Sequence, residues 1–234
     1  MIVLAVDSSG REGSLALARA ENSGVEIIEL ASLDGGNFSA QLVPQIAALL
    51  SKHSLARGDI AGFAVAVGPG SFTGLRVGLA AVKGLAEALK KPIAAVSRLE
   101  AVARSSGTKG HVIAALDAGR RQAFVGDYEL HGESTPGTAS WTASCTASCT
   151  KEHLLLWDEL GTLAAGRPVA TPDQSVAEAL RQCGANVLEI QDPRADVVAR
   201  IGWKKLVSGD VADVTTLEAN YIRRTDAEIL VHGQ

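Results

Sequence analysis

The chain has 234 residues, 47% of them hydrophobic and 21% charged, usage that excludes disorder over most of its length. Its formal net charge of −4 lacks the basic balance of a free-standing nucleic-acid binder, and no apolar run reaches the ~18 residues of a membrane span. At this length one large or two small domains are expected, with a core built from Ala, Val, Leu and Ile because aromatics are only 4%. Cys145, Cys149 and Cys183 form an odd set without zinc-type spacing, so neither a disulfide framework nor a metal pair is expected. The opening MIVLAVDSSG has no basic n-region or small-residue cleavage site and reads as a first strand, not a signal peptide, and the cysteine usage points to a reducing cytoplasm.

Residues 2–7 (IVLAVD), SLALARA and VEIIELA predict three strands joined by tight turns. Apolar residues at Phe38, Leu42, Val43, Ile46, Leu49 and Leu50 predict a helix over 38–53, with Asn37 as N-cap. AGFAVAV (61–67) is a buried strand, 74–90 a helix ended by Pro92, and PIAAVS the next strand. The order β-β-β-α-β-α-β is a mixed α/β sheet that starts as a meander. A second unit begins near residue 111, because VIAALDAGRRQAFVGDYEL (112–130) repeats IVLAVDSSGREGSLALARA (2–20), with Asp117 falling on Asp7. Residues 132–150, rich in Ser, Thr and Gly, predict a loop. After it come a helical stretch (151–165), strand PVAT, helix 173–182, strand NVLEI, helix 194–207 and the tail LEANYIRRTDAE.

The strongest local motif is Gly68-Pro69-Gly70-Ser71-Phe72-Thr73-Gly74-Leu75-Arg76-Val77-Gly78, at a strand-to-helix junction. Such a junction offers free backbone N–H groups to an anion. It serves equally as a tight turn in which Gly74 and Gly78 pack against the sheet. No Gly-Lys-Ser/Thr follows, so it is not a P-loop. It fits a loose dinucleotide pattern, G-x-G-x-x-x-G, with Arg98 placed to meet a 2′-phosphate, but three strands precede it. Asp7-Ser8-Ser9-Gly10, ending the first strand, is a candidate metal-phosphate contact or an Asx-turn. The five His lack a helical ligand pair, no G-x-S-x-G elbow occurs, and no nucleophile–base–orienter set is complete.

GPGSFTGLRVGLAAVKGLA, the opening VLAVDSSGREGSLAL, ALDAGRRQAFVGDY and LEANYIRRTDAE together resemble the TsaB (YeaZ-like) family of tRNA threonylcarbamoyladenosine biosynthesis. The resemblance covers most of the chain and is poorest across 132–165. It implies tandem actin-like domains of the ribonuclease H-like class with mixed β-sheets, at 1–103 and 104–234, the tail free to pack back on the first domain. It implies a non-catalytic partner of TsaD, the subunit that transfers threonylcarbamoyl to N6 of the anticodon-adjacent adenosine of tRNA. TsaD's iron or zinc is held by a helical His pair, whereas GGNFSAQLVPQIAALL has no His, and Phe38 takes the place where many relatives keep one. No metal and no intrinsic cofactor are therefore expected, with ATP or ADP only in the complex, since 105–234 shows no Gly-Gly adenosine loop.

The resemblance further implies pairing through the helices 38–53 and 74–90, with itself as a homodimer or with TsaD. The candidate interface is Leu42, Ile46, Phe72, Leu75, Leu79 and Val82, the rival reading being intramolecular core. The candidate anion or nucleotide contacts are Asp7, Ser8, Ser9, Gly68, Pro69, Gly70, Ser71, Thr73, Gly74, Arg76 and Gly78. A TsaE-like ATPase is a further implied partner, and tRNA is reached only through the complex. A metallopeptidase and an NADP-binding reductase are the alternatives.

Overall fold

The computed structural model describes residues 1–21, 24–131 and 146–223. In the first strands, large and small side chains alternate with the pleat. Leu4, Val6, Leu15, Leu17, Phe63 and Val65 face one side; Val3, Ala5, Ala16, Ala18, Ala64 and Ala66 face the other. The strands are β1 (Ile2–Asp7), β2 (Gly13–Glu21), β3 (Gly24–Leu33), β4 (Ile60–Gly68) and β5 (Ile93–Ser97), ordered β3-β2-β1-β4-β5. β1 pairs antiparallel with β2 and parallel with β4. Helices α1 (Phe38–Lys52) and α2 (Phe72–Leu89) cover the large-residue face. Asn37 stands at the N-cap of α1 without a side-chain cap bond, whereas Ser71 caps α2 by accepting from the Gly74 N–H.

The second half repeats this plan. After α3 (Arg98–Ser105) come β6 (Gly110–Gly119), β7 (Gln122–His131), β8 (Thr146–Leu156), α4 (Trp157–Leu163), β9 (Pro168–Thr171), α5 (Gln174–Gln182), β10 (Asn186–Glu189) and α6 (Ala195–Ser208). The sheet order β8-β7-β6-β9-β10 matches the first sheet strand for strand, with the same antiparallel and parallel pairings. The chain is thus α/β with two mixed sheets in tandem, as the Asp7/Asp117 repeat predicts.

Two parts of the second half differ from expectation. Residues 151–156 continue a strand, not a helix, and only Trp157–Leu163 is helical. Leu154, Leu155 and Leu156 suit either state, and pairing with Phe124, Ala123 and Gln122 of β7 decides for strand. The expected loop 132–150 likewise gives way to β8 from Thr146; its residues 132–145, with Cys145, lie outside the described residues, as does the tail beyond 223.

The third helix of each half crosses over. α3 sends Leu99, Val102 and Ala103 into the core of the second sheet. α6 sends Val197, Val198 and Ile201 onto the alanine face of the first. That face lets α6 come close: a Cβ on Gly202 would stand 2.2 Å from the Ala64 Cβ. The segment after α6 then runs as a strap along the first sheet, where the Ala212 N–H donates to Ile93 O at 2.8 Å and Leu217 is buried. The Asn220 N–H donates to Val67 O at 2.7 Å, and Ile222 packs against the second core. The expected 103/104 boundary falls inside α3, and the two sheets share their helical layers.

Candidate functional site

The two polar motifs meet. Asp7, Ser8 and Ser9 are almost fully buried, and the Asp7 carboxylate accepts from the Ser9 N–H at 2.9 Å in an Asx-turn. This turn seats itself in the junction before α2: the Ser71 N–H donates to Ser9 O at 2.7 Å, and Ser8 Oγ donates to Gly74 O at 2.8 Å. A Cβ on Gly70, Gly74 or Gly78 would stand 2.4, 2.0 or 2.2 Å from Ser9 O, Ser8 O or Ser8 Oγ. The glycines are thus a cradle for the chain's own β1–β2 turn. Of the N–H groups at this helix head, those of Ser71 and Gly74 are taken, by Ser9 O and Ser71 Oγ. Gly68 lies at φ +109° before Pro69, where a side chain would be strained.

Phe38 is buried in the same region, with Gly13 and Gly74 closing on its ring: a Cβ on Gly13 would reach Cε1 at 2.8 Å. An imidazole has no call for such an apolar slot between two glycines, so the residue at this position is a packing residue.

Five of the six expected interface residues require correction. Leu42, Ile46, Leu75, Leu79 and Val82 are 1, 4, 1, 6 and 0% exposed, because this face of α1 and α2 covers the chain's own first sheet. Only Phe72, 37% exposed, is at the surface. The outward face is made of other residues: Ser39, Ala40, Val43, Pro44, Gln45, Ala47 and Ala48 on α1, and Thr73, Arg76, Ala80, Gly84, Glu87 and Ala88 on α2. Helix α1 carries no charge before Lys52. An exposed helix face of this length without charge, as on α1, is unusual for a surface that meets only water.

A cleft of about 1330 Å³ opens between the two sheets, lined by Ser9, Gly70, Phe72, Asp117, Arg120, Phe124 and Tyr221 among others. At its base Arg98 Nη2 donates to both carboxylate oxygens of Asp192, each at 2.8 Å. Burial acts to lower the Arg98 pKa, and the charges of Asp192, Asp7 and Asp173 outweigh it, so the guanidinium is held charged. Three carboxylates around it would repel a 2′-phosphate, which removes the reductase reading of Arg98.

Glu152 is a junction the sequence reading missed. Its carboxylate accepts from Ser97 Oγ at the head of α3, from the Tyr128 hydroxyl of β7 and from the Asn220 amide of the strap, while it stands on β8 itself. Burial and the Glu152 charge push the Tyr128 hydroxyl pKa far above its usual value, so it stays a donor. Glu152→Gln replaces an acceptor-only group by one with two donors facing three donors. A loss of about 1–2 kcal/mol is expected, read as a lower midpoint in urea unfolding; an unchanged midpoint would show the junction contributes nothing.

A family model described as TsaD: tRNA N6-adenosine threonylcarbamoyltransferase matches residues 32–151. The tRNA threonylcarbamoyladenosine biosynthesis protein TsaB of Bacillus subtilis is 29% identical over 238 residues, 97% of this chain and 96% of that protein. TsaB of Escherichia coli is 30% identical over 144 residues, 58% of this chain and 61% of its own. Among solved structures, YeaZ from Pseudomonas aeruginosa shares the fold with a TM-score of 0.73 at 22% identity, covering 94% of this chain and 99% of that one.

Proposed function

Because this chain belongs to the TsaD family, in its TsaB (YeaZ-like) branch, we propose that it works in the threonylcarbamoylation of tRNA as the non-catalytic partner of a TsaD-like transferase. The observation that carries this reading is the outward face of α1 and α2. It is uncharged along α1, is rich in Ala, Val, Pro, Thr and Gly with Arg76 and Glu87 on its α2 side, and is backed by the core that α1 and α2 share with the first sheet. Small side chains allow a partner's helices to approach closely, and the fixed backing lowers the ordering entropy lost on association. The same face serves a homodimer when the partner is absent. A TsaE-like ATPase is a further partner in this reading, tRNA is met through the complex, and the work is done in the cytoplasm. Any ATP or ADP belongs to the assembled complex. The metallopeptidase alternative is less well supported: among the described residues no three His, Cys, Asp or Glu side chains are grouped to hold a metal ion.

The test is reconstitution with the TsaD-like and TsaE-like proteins of the same organism, tRNA and an enzymatic source of threonylcarbamoyl-adenylate. Threonylcarbamoyladenosine in digested tRNA is expected only when this chain is present, and none from this chain alone. Full modification without it would overturn the partner reading.

A further inference from the structure

The head of α2 carries an exposed cation held between that helix and the strap. Arg76 is exposed, its guanidinium carbon 3.6 Å from the centroid of the Phe72 ring and 5.8 Å from that of Tyr221. Its Nε donates to the Tyr221 hydroxyl at 3.0 Å. The two rings lie 5.0 Å apart, tilted by 40°, and are 37% and 40% exposed. Tyr221 is in turn fixed by the strap, since the neighbouring Asn220 bonds to Val67 and to Glu152. Among the described residues no carboxylate pairs with Arg76, so its two terminal nitrogens have no acidic partner there.

An arginine stacked on one side and bonded at Nε has few rotamers left to lose. Its free edge is a planar pair of donors that matches a carboxylate or phosphate bidentately. We propose that Arg76 is a preorganised fork for an Asp or Glu side chain of the TsaD-like partner, at the edge of the α1–α2 docking face, with Tyr221 as the residue that positions it. The inference rests on the docking reading above. A protein carboxylate is favoured over an RNA phosphate for two reasons. The surface continuing along α2 through Val77, Ala80 and Ala81 offers no second cation before Lys83, and Lys83 is bonded to Leu217 O; Arg120 and Arg223 line the cleft beside Tyr221, off this helix, and Arg223 is bonded to Gln122. A nucleic-acid backbone calls for a run of cations, and the chain as a whole is acidic. Aromatic residues and Arg at the margin of a sparsely charged face also match the composition of interface anchors.

The experiment measures the Kd of the full chain for the TsaD-like protein by calorimetry, with melting temperatures as a folding control. Arg76→Gln is expected to weaken binding about tenfold or more. Arg76→Lys should weaken it nearly as much, because an ammonium keeps the charge but neither the fork nor the stack. Tyr221→Phe should weaken it several-fold with the melting temperature unchanged, since the ring stays and only the Nε bond is lost. Ala80→Glu on the docking face is measured alongside. If Ala80→Glu abolishes binding and the Arg76 variants bind as the parent does, docking stands and the fork is wrong. If none of the substitutions changes the Kd, the docking reading fails and the fork with it. If the Arg76 variants keep the parent Kd for the protein but weaken capture of tRNA by the assembled pair, the ligand is a phosphate and the proposal is overturned.

Discussion

Gly74→Ala is expected to lower the melting temperature by about 6–12 °C, and Gly84→Ala, on the same helix, to raise it by about 2–4 °C, for a chain of this size. The two substitutions add the same methyl group to α2. At Gly74 the new carbon would stand 2.0 Å from the Ser8 carbonyl oxygen, a backbone atom locked by the Asx-turn of Asp7. Relief requires the β1–β2 turn and the head of α2 to move apart, breaking the bonds of Ser71 to Ser9 and of Ser8 to Gly74. Overpacking of this kind costs about 3 kcal/mol or more when two backbone segments oppose it. At Gly84 nothing lies within 4 Å of the added carbon, and alanine gains the helix propensity and lower unfolded-state entropy that glycine lacks, about 1 kcal/mol. Scanning calorimetry at one scan rate reads both. A Gly74→Ala protein that melts with the parent would show that close packing is not why the motif holds glycine there.

The motif was legible in the sequence as a strand-to-helix junction, but its occupant was not. Glycines spaced 70, 74, 78 signal that something approaches the helix closely. They do not say whether that is a phosphate or the protein's own turn, and here it is Ser8 and Ser9, more than sixty residues away. Short apolar runs at β1 and β4 and the Leu/Ala alternation of β2 revealed the first sheet, and the Asp7/Asp117 repeat revealed the second. Two elements escaped. β8 begins in a Thr/Ser/Cys run whose strand state comes from pairing with β7, not from its own composition. α3 has only eight residues and buries Leu99, Val102 and Ala103 against a sheet that follows it in the chain. Glu152 is a polar residue without a motif, and although Asn220 and Tyr221 lie in the LEANYIRRTDAE segment, only tertiary contact gives their side chains a role.

Leu79→Glu and Ala80→Glu should have opposite consequences although the residues are adjacent. Helical periodicity picks out Leu42, Ile46, Leu79 and Val82 as one apolar surface, and periodicity alone cannot tell a sheet from a partner as the cover. The first sheet covers them here, so a carboxylate at Leu79 would be buried without a counter-charge among Leu, Val and Phe side chains. The cost, about 4–5 kcal/mol or more, takes a large share of the stability of an ordinary domain, and loss of the folded monomer is expected. Ala80 points outward, where a surface substitution changes stability by about 0.5 kcal/mol or less. Its carboxylate would, however, be stripped of water on docking against a sparsely charged face. That costs several kcal/mol and weakens pairing by about 100-fold. Circular dichroism with sedimentation velocity separates the two: Leu79→Glu unfolded, Ala80→Glu folded and unable to pair with itself or with the TsaD-like protein. A folded Leu79→Glu monomer that has lost only pairing would return the interface to the inner stripe. An Ala80→Glu chain that pairs as the parent does would remove the outer face of α2 from the docking surface.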